Sequence, residues 1–431
     1  MPLKDDRRIP TGAPWIATAV CGLLIGLLIT LGFRARGPQV PPELKLPAAA
    51  RRQSVTVAPA KLLHPLIRVN LTSTPTTTLT IGVRGVYEIR SLDSQRTLAT
   101  GKSLDDAEVR LDSKKLTLGP HHFPSQPVEI AATGDTRISV GMHQYRGVVR
   151  VIPQSSGKLT AINVLPLEEY VACVVDAEMP AKFPAAARES QAIVARTYAL
   201  WQMQHADSNA NYDVFATVRS QKYLGVEYLD GKGRRLAGES ASSRNAALAT
   251  RGMVCMTQGK IFCTYYSAVC GGATTPGSEF FADADAVLRS VPCPHCRHAD
   301  KYRWQTELTV DDVAAVVRKH ASPRGLTNIK TIRQTQGPQA GVIARFEISD
   351  GRRNVSIDGN SLRQQLPTGK LLSPHFSMSV VGKNVKFSGS GFGHGAGLCQ
   401  WGASGLAIDG KSARQIVEYY YPGATIAGYG Y

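Results

Sequence analysis

The sequence predicts an α+β protein: a mixed β-rich body with a helical active-site segment, preceded by an N-terminal transmembrane helix. Three observations carry this expectation. An uncharged apolar run, WIATAVCGLLIGLLITLGF, fills residues 15–33. Between about Pro65 and Val164, short β-rich segments alternate with turn residues. From Pro166 the apolar spacing switches to a helical period, with no internal repeat and no strict β-α-β alternation afterwards.

The apolar run comes first. About 20 such residues span a bilayer. Lys4, Arg7 and Arg8 precede it, and Arg34 and Arg36 follow it, so the flanking charges orient it weakly. Its core exceeds the roughly 7–15 residues of a signal peptide, and LGFRARG offers no small-residue cleavage site. Cys21 follows Val20, which is too bulky for a lipobox. We therefore expect residues 1–36 to be an uncleaved single-pass anchor in the cell membrane, with the main body on the extracytoplasmic side. Residues 37–62, rich in Pro, Ala and basic residues, read as an extended linker.

Residues 63–150 read as a β-rich region. Its clearest strands are LIRVNL, TLTIGV, VYEIRS, VEIAAT and GVVRVIP, with KLTAINVL continuing beyond. Residues 151–431 form the last region. There Pro166–Glu178 reads as a helix, with Pro166 suited to its first turn. Pro180 ends it. A second helix runs from about Pro184 to His205, and a third covers Ser240–Thr250. GMVCMTQGKIFCTYYSAV predicts a hairpin turning at Gln258-Gly259. Strand-like segments follow between Ile329 and Val385. A glycine-rich loop then enters a helix, and a last helix covers Ser412–Tyr420.

The 431 residues carry 50 Lys and Arg against 33 Asp and Glu, a net charge of +17 and a pI near 9.6. Such an excess suits a polyanionic partner: nucleic acid, anionic lipid or an acidic wall polymer. No zinc-finger spacing, RNP-like strand or clustered basic helix supports the first, so no nucleic acid is expected. A solvated basic surface accounts for the same charge. Eight cysteines are present, and outside the cytosol some of them could pair.

Glu178 is the first chemical candidate. It sits where an apolar helix ends, before Met179-Pro180. The negative end of the helix dipole disfavours a carboxylate there, and burial acts the same way. A carboxylic acid kept protonated near neutral pH is what general acid catalysis needs. Ordinary glycosidases flank the scissile bond with two carboxylates. Asp176 is two residues away and does not share its face, and Glu168 and Glu169 lie more than two turns back. A single-acid mechanism, with the nucleophile supplied by the substrate, fits better. A solvent-facing glutamate at a helix end is the bland alternative.

NVLPLEEYVACVVDAEMPAKFPAAARESQAIVARTYAL closely resembles the signature of the SpoIID/LytB family. YYSAVCGGATT resembles that family's second block, and GSGFGHGAGLCQWGASGLA its third. The resemblance covers about residues 145–425. It implies peptidoglycan as partner. Sporulation members resemble lytic transglycosylases acting on glycan strands, and LytB-like members are enhancers of a cell-wall amidase. In the enzymes the Glu of Glu-Met-Pro is catalytic, which is Glu178 here. Gln191, Arg196, Tyr198, His394 and Gln400 are then candidate substrate contacts. Arg196 either meets a muramic carboxylate or forms a salt bridge to Glu168 or Glu189. His394 either lines the groove or packs in a turn.

Some relatives carry a zinc site just after the second helix. Phe215, Arg219 and Ser220 stand where its Cys, His and Cys would be, so that site is absent. No cofactor and no metal is expected. VPCPHCRHAD holds Cys293, His295, Cys296 and His298, which read as a disulfide, as free thiols, or as part of a metal site completed by Cys270 or Cys263. GFGHGAGLCQWG lacks the Gly-Lys-Ser/Thr ending of a P-loop. Trp401 and Cys173 read as core.

Overall fold

The computed structural model describes residues 65–112, 114–320, 329–367 and 369–430. These residues belong to one compact unit. The expected anchor and linker lie outside the described residues. Among the described residues, no helix is long and apolar enough to cross a membrane.

The α+β class holds. Two large sheets open the fold. The seven-stranded sheet runs, in spatial order, through 214–215, 66–70, 159–166, 148–153, 128–132, 87–91 and 97–101. The eight-stranded sheet runs through 235–237, 227–229, 143–145, 138–140, 78–83, 104–112, 115–118 and 121–124. Ile81, Val109 and Leu116 of the second sheet share one core with Ile89, Ile130 and Val149 of the first. Strand Val148–Pro153 and strand Leu159–Pro166 are paired neighbours across residue 150, and strands 214–215, 227–229 and 235–237 join these sheets from later in the chain.

All six strands expected before residue 166 are present. Six more join them, among them the nine-residue Leu104–Asp112 and the four-residue His121–Pro124. LDDAEVRLD alternates buried Leu104, Ala107 and Val109 with exposed acids and bases, so its apolar signal is diluted.

Strand Leu159–Pro166 is buried almost throughout and runs straight into helix α1, Leu167–Glu178. Helix α2 spans Ala185–His205, and every position from Ser190 to Leu200 is buried. It is therefore enclosed on all sides. Ala192, Ala195 and Ala199 pack toward α1, while Ile193 and Val194 belong to the C-terminal core. Alanine at so many positions lets neighbouring helices approach closely. Helix α3, Ala241–Ala249, is closed by a capping box from Ser240 and Ser243.

Two helices went unpredicted: α4, Val310–His320, and α5, Gly359–Gln365. Their signals are present in the sequence. Thr309 and Asp312 cap α4 reciprocally, and Asp358 caps α5. Both helices pack with strands 303–309, 376–381 and 384–390 and with strands 331–336, 345–349 and 354–358 around Phe346, Phe376 and Phe387. Helices α6, Gln400–Ile408, and α7, Ala413–Tyr420, complete the chain.

The predicted hairpin is present, with Gln258 and Gly259 both at positive φ between strands 253–257 and 260–261. The glycine-rich loop is forced by a close backbone approach. Tyr266–Ser267 pairs in parallel with Leu398–Cys399. Gly397 has φ +68°, and a Cβ there would lie 1.8 Å from the Tyr265 carbonyl oxygen. Gly410, at φ +80°, has open space around it. The left-handed conformation costs an L-residue about 1–2 kcal/mol at either place. Gly397→Ala should therefore lose clearly more stability in urea unfolding than Gly410→Ala. Equal losses would contradict the close approach.

Candidate functional site

A groove of about 660 Å³ opens where α1 ends. Ala177 and Glu178 come from α1, and Tyr198 from α2. Tyr265, Tyr266, Ser267 and Ala268 form one wall, and Phe392, Gly393, His394 and Gln400 another. A second cavity of about 440 Å³ lies among Arg84, Asp106, Asp135, Arg137, Glu227 and Arg235, where acids and bases offset each other.

The α1 end is fixed from behind. Arg188 on α2 is fully buried. It donates to the Met179 carbonyl at 3.0 Å and to Asp176 Oδ1 at 2.5 Å. Ser240 Oγ donates to the same Asp176 oxygen at 2.7 Å. Met179 closes α1 with its N–H on the Val175 carbonyl and an extended backbone, as Pro180 requires. Glu178 is thereby turned into the groove.

Glu178 is half-buried. The Lys222 N–H donates to its Oε1 at 2.8 Å, and Gln400 Nε2 lies 3.4 Å from its Oε2. Burial pushes its carboxyl above the usual range, and this outweighs the downward pull of Lys222, Gln400 and Tyr266. Tyr266 is itself held by Gln221, which accepts from Tyr170. Among the described lining residues, Glu178 is the only carboxylate. Asp176 is engaged by Arg188, and Glu168 by Arg196.

Arg196 does not reach the groove. Its side chain has no exposure and forks onto Glu168, with Nε at 2.8 Å and Nη2 at 2.6 Å. It also donates to the carbonyls of Met253 and Ala247. Of the two readings, the geometry selects the salt bridge, because this face of α2 is turned toward α1 and α3. Gln191 is fully buried too, and touches the groove only through Gln400, whose Nε2 lies 3.5 Å from its Oε1.

Tyr198, His394 and Gln400 do line the groove. His394 Nδ1 accepts from the Ala396 N–H at 3.1 Å, which leaves the proton on Nε2. Burial, with Arg363 adding to it, pushes its pKa down to about 4, so it is neutral near pH 7. Its ring meets Phe280 and Phe281 edge-on, and Phe281 stacks on Tyr265. Trp401 packs against Phe183 and His298 at the edge of the core. Cys173 is buried and lies 3.4 Å from Glu239.

Sequence reasoning missed the groove's cations. Arg219, Lys222 and Arg363 all line it. Arg219 also lies over the Phe215 ring, 3.9 Å from its centroid. Arg219 and Lys222 sit on an irregular segment without periodicity, and Arg363 sits on the unpredicted α5. Tyr265 and Tyr266 were visible as the head of YYSAVCGGATT. Cys270, Cys293, Cys296 and Cys399 are all buried and close together.

Residues 155–256 match the family model described as Stage II sporulation protein. Residues 285–397 match a second, described as a domain of unknown function (DUF8618). An uncharacterized protein of Brachyspira hyodysenteriae is 28% identical over 367 residues, covering 84% of this chain and 93% of that protein. Stage II sporulation protein D of Bacillus subtilis is 25% identical over 341 residues, 77% of this chain and 89% of that protein. The amidase enhancer of Bacillus subtilis is 23% identical over 299 residues, 59% of this chain and 40% of that protein. The groove takes Glu178, Tyr198 and Lys222 from the first matched stretch, and Arg363, Phe392 and His394 from the second. All three motif blocks meet at this one groove, residues 155–256 carry the Stage II sporulation protein match, and the chain is similar to proteins of the SpoIID/LytB family.

Proposed function

We propose that the groove cleaves peptidoglycan glycan strands as a lytic transglycosylase, with Glu178 as acid and then base. The observation that carries this is a partly desolvated carboxyl, raised above its ordinary range, that is the only carboxylate among the described lining residues. Protonated Glu178 gives its proton to the glycosidic oxygen as the bond to the muramic C1 breaks. The resulting carboxylate takes the proton of the muramic 6-hydroxyl, and O6 closes onto C1. The products are a 1,6-anhydro end and a free 4-hydroxyl. No external water enters, and Glu178 regains its proton.

The Lys222 N–H and the Gln400 amide hold the carboxylate formed midway, as charge-assisted donors. Tyr265 and Phe281 offer an aromatic surface to a sugar face. Arg219, Lys222 and Arg363 supply the positive charge that a lactyl carboxylate seeks. This role moves from Arg196, where the sequence had suggested it, to groove residues. We further propose that the apolar run at residues 15–33 anchors the chain with its body on the extracytoplasmic side.

A second reading is a wall-binding protein that stimulates an N-acetylmuramoyl-L-alanine amidase without cleaving glycan. The similarity to a protein named amidase enhancer favours it. Both readings place the protein at the cell wall.

Mass spectrometry of glycan fragments separates them. The parent protein should release anhydro-muramic ends, and Glu178→Gln should lower that rate by about 10²–10⁴. If neither releases fragments while both stimulate an amidase, the second reading stands. Arg219→Ala should raise KM more than it lowers kcat, since it removes a charge that holds substrate before and during reaction alike.

Stability offers an independent check on Glu178. A carboxyl raised in the folded state favours its protonated form there. Ionising it costs stability as pH rises through that raised value, and the cost is absent below the unfolded value of about 4.3. Glu178→Gln removes the cost. The variant should melt above the parent at about pH 8, with the gap closing toward about pH 4. A variant less stable than the parent at about pH 8 would contradict a desolvated Glu178.

A further inference from the structure

We propose that Cys270, Cys293, Cys296 and Cys399 form a tetrathiolate site that holds one zinc ion. The four sulfurs all lie within 4.8 Å of one another. Cys270 and Cys296 are 3.7 Å apart. With Zn–S bonds of about 2.3 Å, a tetrahedral Zn(Cys)₄ unit has S–S edges of about 3.8 Å. The cluster is thus already at the size of that polyhedron. Two disulfides would instead draw the sulfurs into pairs at about 2.05 Å. Here they form one mutually spaced set.

The donor chemistry points the same way. Four soft sulfur ligands with no open position describe a closed structural zinc site. Each of the four residues is at most 1% exposed. Zinc would enter with loss of four thiol protons, leaving a tetrathiolate of charge −2. Groups that stabilise such a charge are in place. The Cys270 and Gly402 N–H groups donate to Cys399 Sγ at 3.3 and 3.4 Å. The Tyr420 hydroxyl lies 3.1 Å from Cys293 Sγ. Such surrounding donors orient ligands and tune a site. Gly402 leaves the room needed: a Cβ there would lie 2.5 Å from Cys293 Sγ.

The histidines nearby belong elsewhere. His295 pairs with Asp409 at 3.0 Å, and His298 packs on Trp401. Cys255, Cys263 and Cys173 lie outside the cluster. The fourth ligand is therefore Cys399, more than a hundred residues beyond the Cys-x-x-C pair. This position gives the ion a task. Cys399 directly precedes Gln400, and Cys270 follows the wall residues Tyr266, Ser267 and Ala268. One zinc would lock the turn at Cys270, the short turn Pro294–Cys296 and the start of α6 into one piece. The inference holds whatever reaction the groove carries.

Full-length protein, purified without added metal, should contain one zinc per chain by elemental mass spectrometry. Cys399→Ser should lose it and Cys263→Ser should keep it. Should Cys399→Ser fail to fold, cobalt(II) exchanged into the parent protein decides: the expected spectrum is that of a tetrahedral tetrathiolate, with strong sulfur-to-cobalt charge transfer. Metal-free parent protein with disulfides among these four cysteines would overturn the proposal. So would zinc retained by a folded Cys399→Ser, or cobalt bound without thiolate bands.

Discussion

The structure depends on how the acids of one helix are divided. α1 carries Glu168, Glu169, Asp176 and Glu178 within twelve residues. Two buried arginines on α2 take two of them: Arg196 forks onto Glu168, and Arg188 reaches Asp176 and the Met179 carbonyl. Breaking a buried pair by removing one partner typically costs about 3–5 kcal/mol. α1 and α2 are therefore locked in register, and Glu178, just past the Arg188 contact, must face the groove. The carboxyl at that helix end is held up in pKa by its loss of solvent.

α2 can serve this purpose because it is enclosed. An amphipathic helix would present its polar residues to water. Here Arg188, Gln191, Arg196 and Thr197 are all fully buried, and most of their polar atoms meet protein groups, Arg188 Nε and Gln191 Nε2 being the exceptions. Thr197 Oγ1 accepts from the Cys255 N–H, and Arg196 donates to the carbonyls of Ala247 in α3 and Met253 at the start of the following strand. The helix is a spine onto which the β-rich half and the C-terminal half both fasten. The groove lies along their junction, with residues from both matched family stretches on its walls.

Much of this was legible in the sequence. Pro166, Pro180 and Pro184 punctuate α1 and α2, and proline acts locally, so those bounds came out within a residue or two. Glu178 was legible because Glu-Met-Pro sits at the same break. Arg196 shows the limit. On a helix buried all round, periodicity does not say which neighbour a side chain meets. Polar strands such as Leu104–Asp112 were hidden because half of each is solvated. Cys399 and Arg363 lie far in sequence from the groups they join, and only the folded chain brings them there.

The central claim is that Glu178 works without a second carboxylate because the substrate supplies the nucleophile. The most direct measurement is digestion of glycan strands in water enriched in oxygen-18. Ring closure by the muramic 6-hydroxyl predicts new ends that carry no label from solvent. Label at the new C1 position would mean that water attacked, and a single-acid mechanism at Glu178 would be wrong.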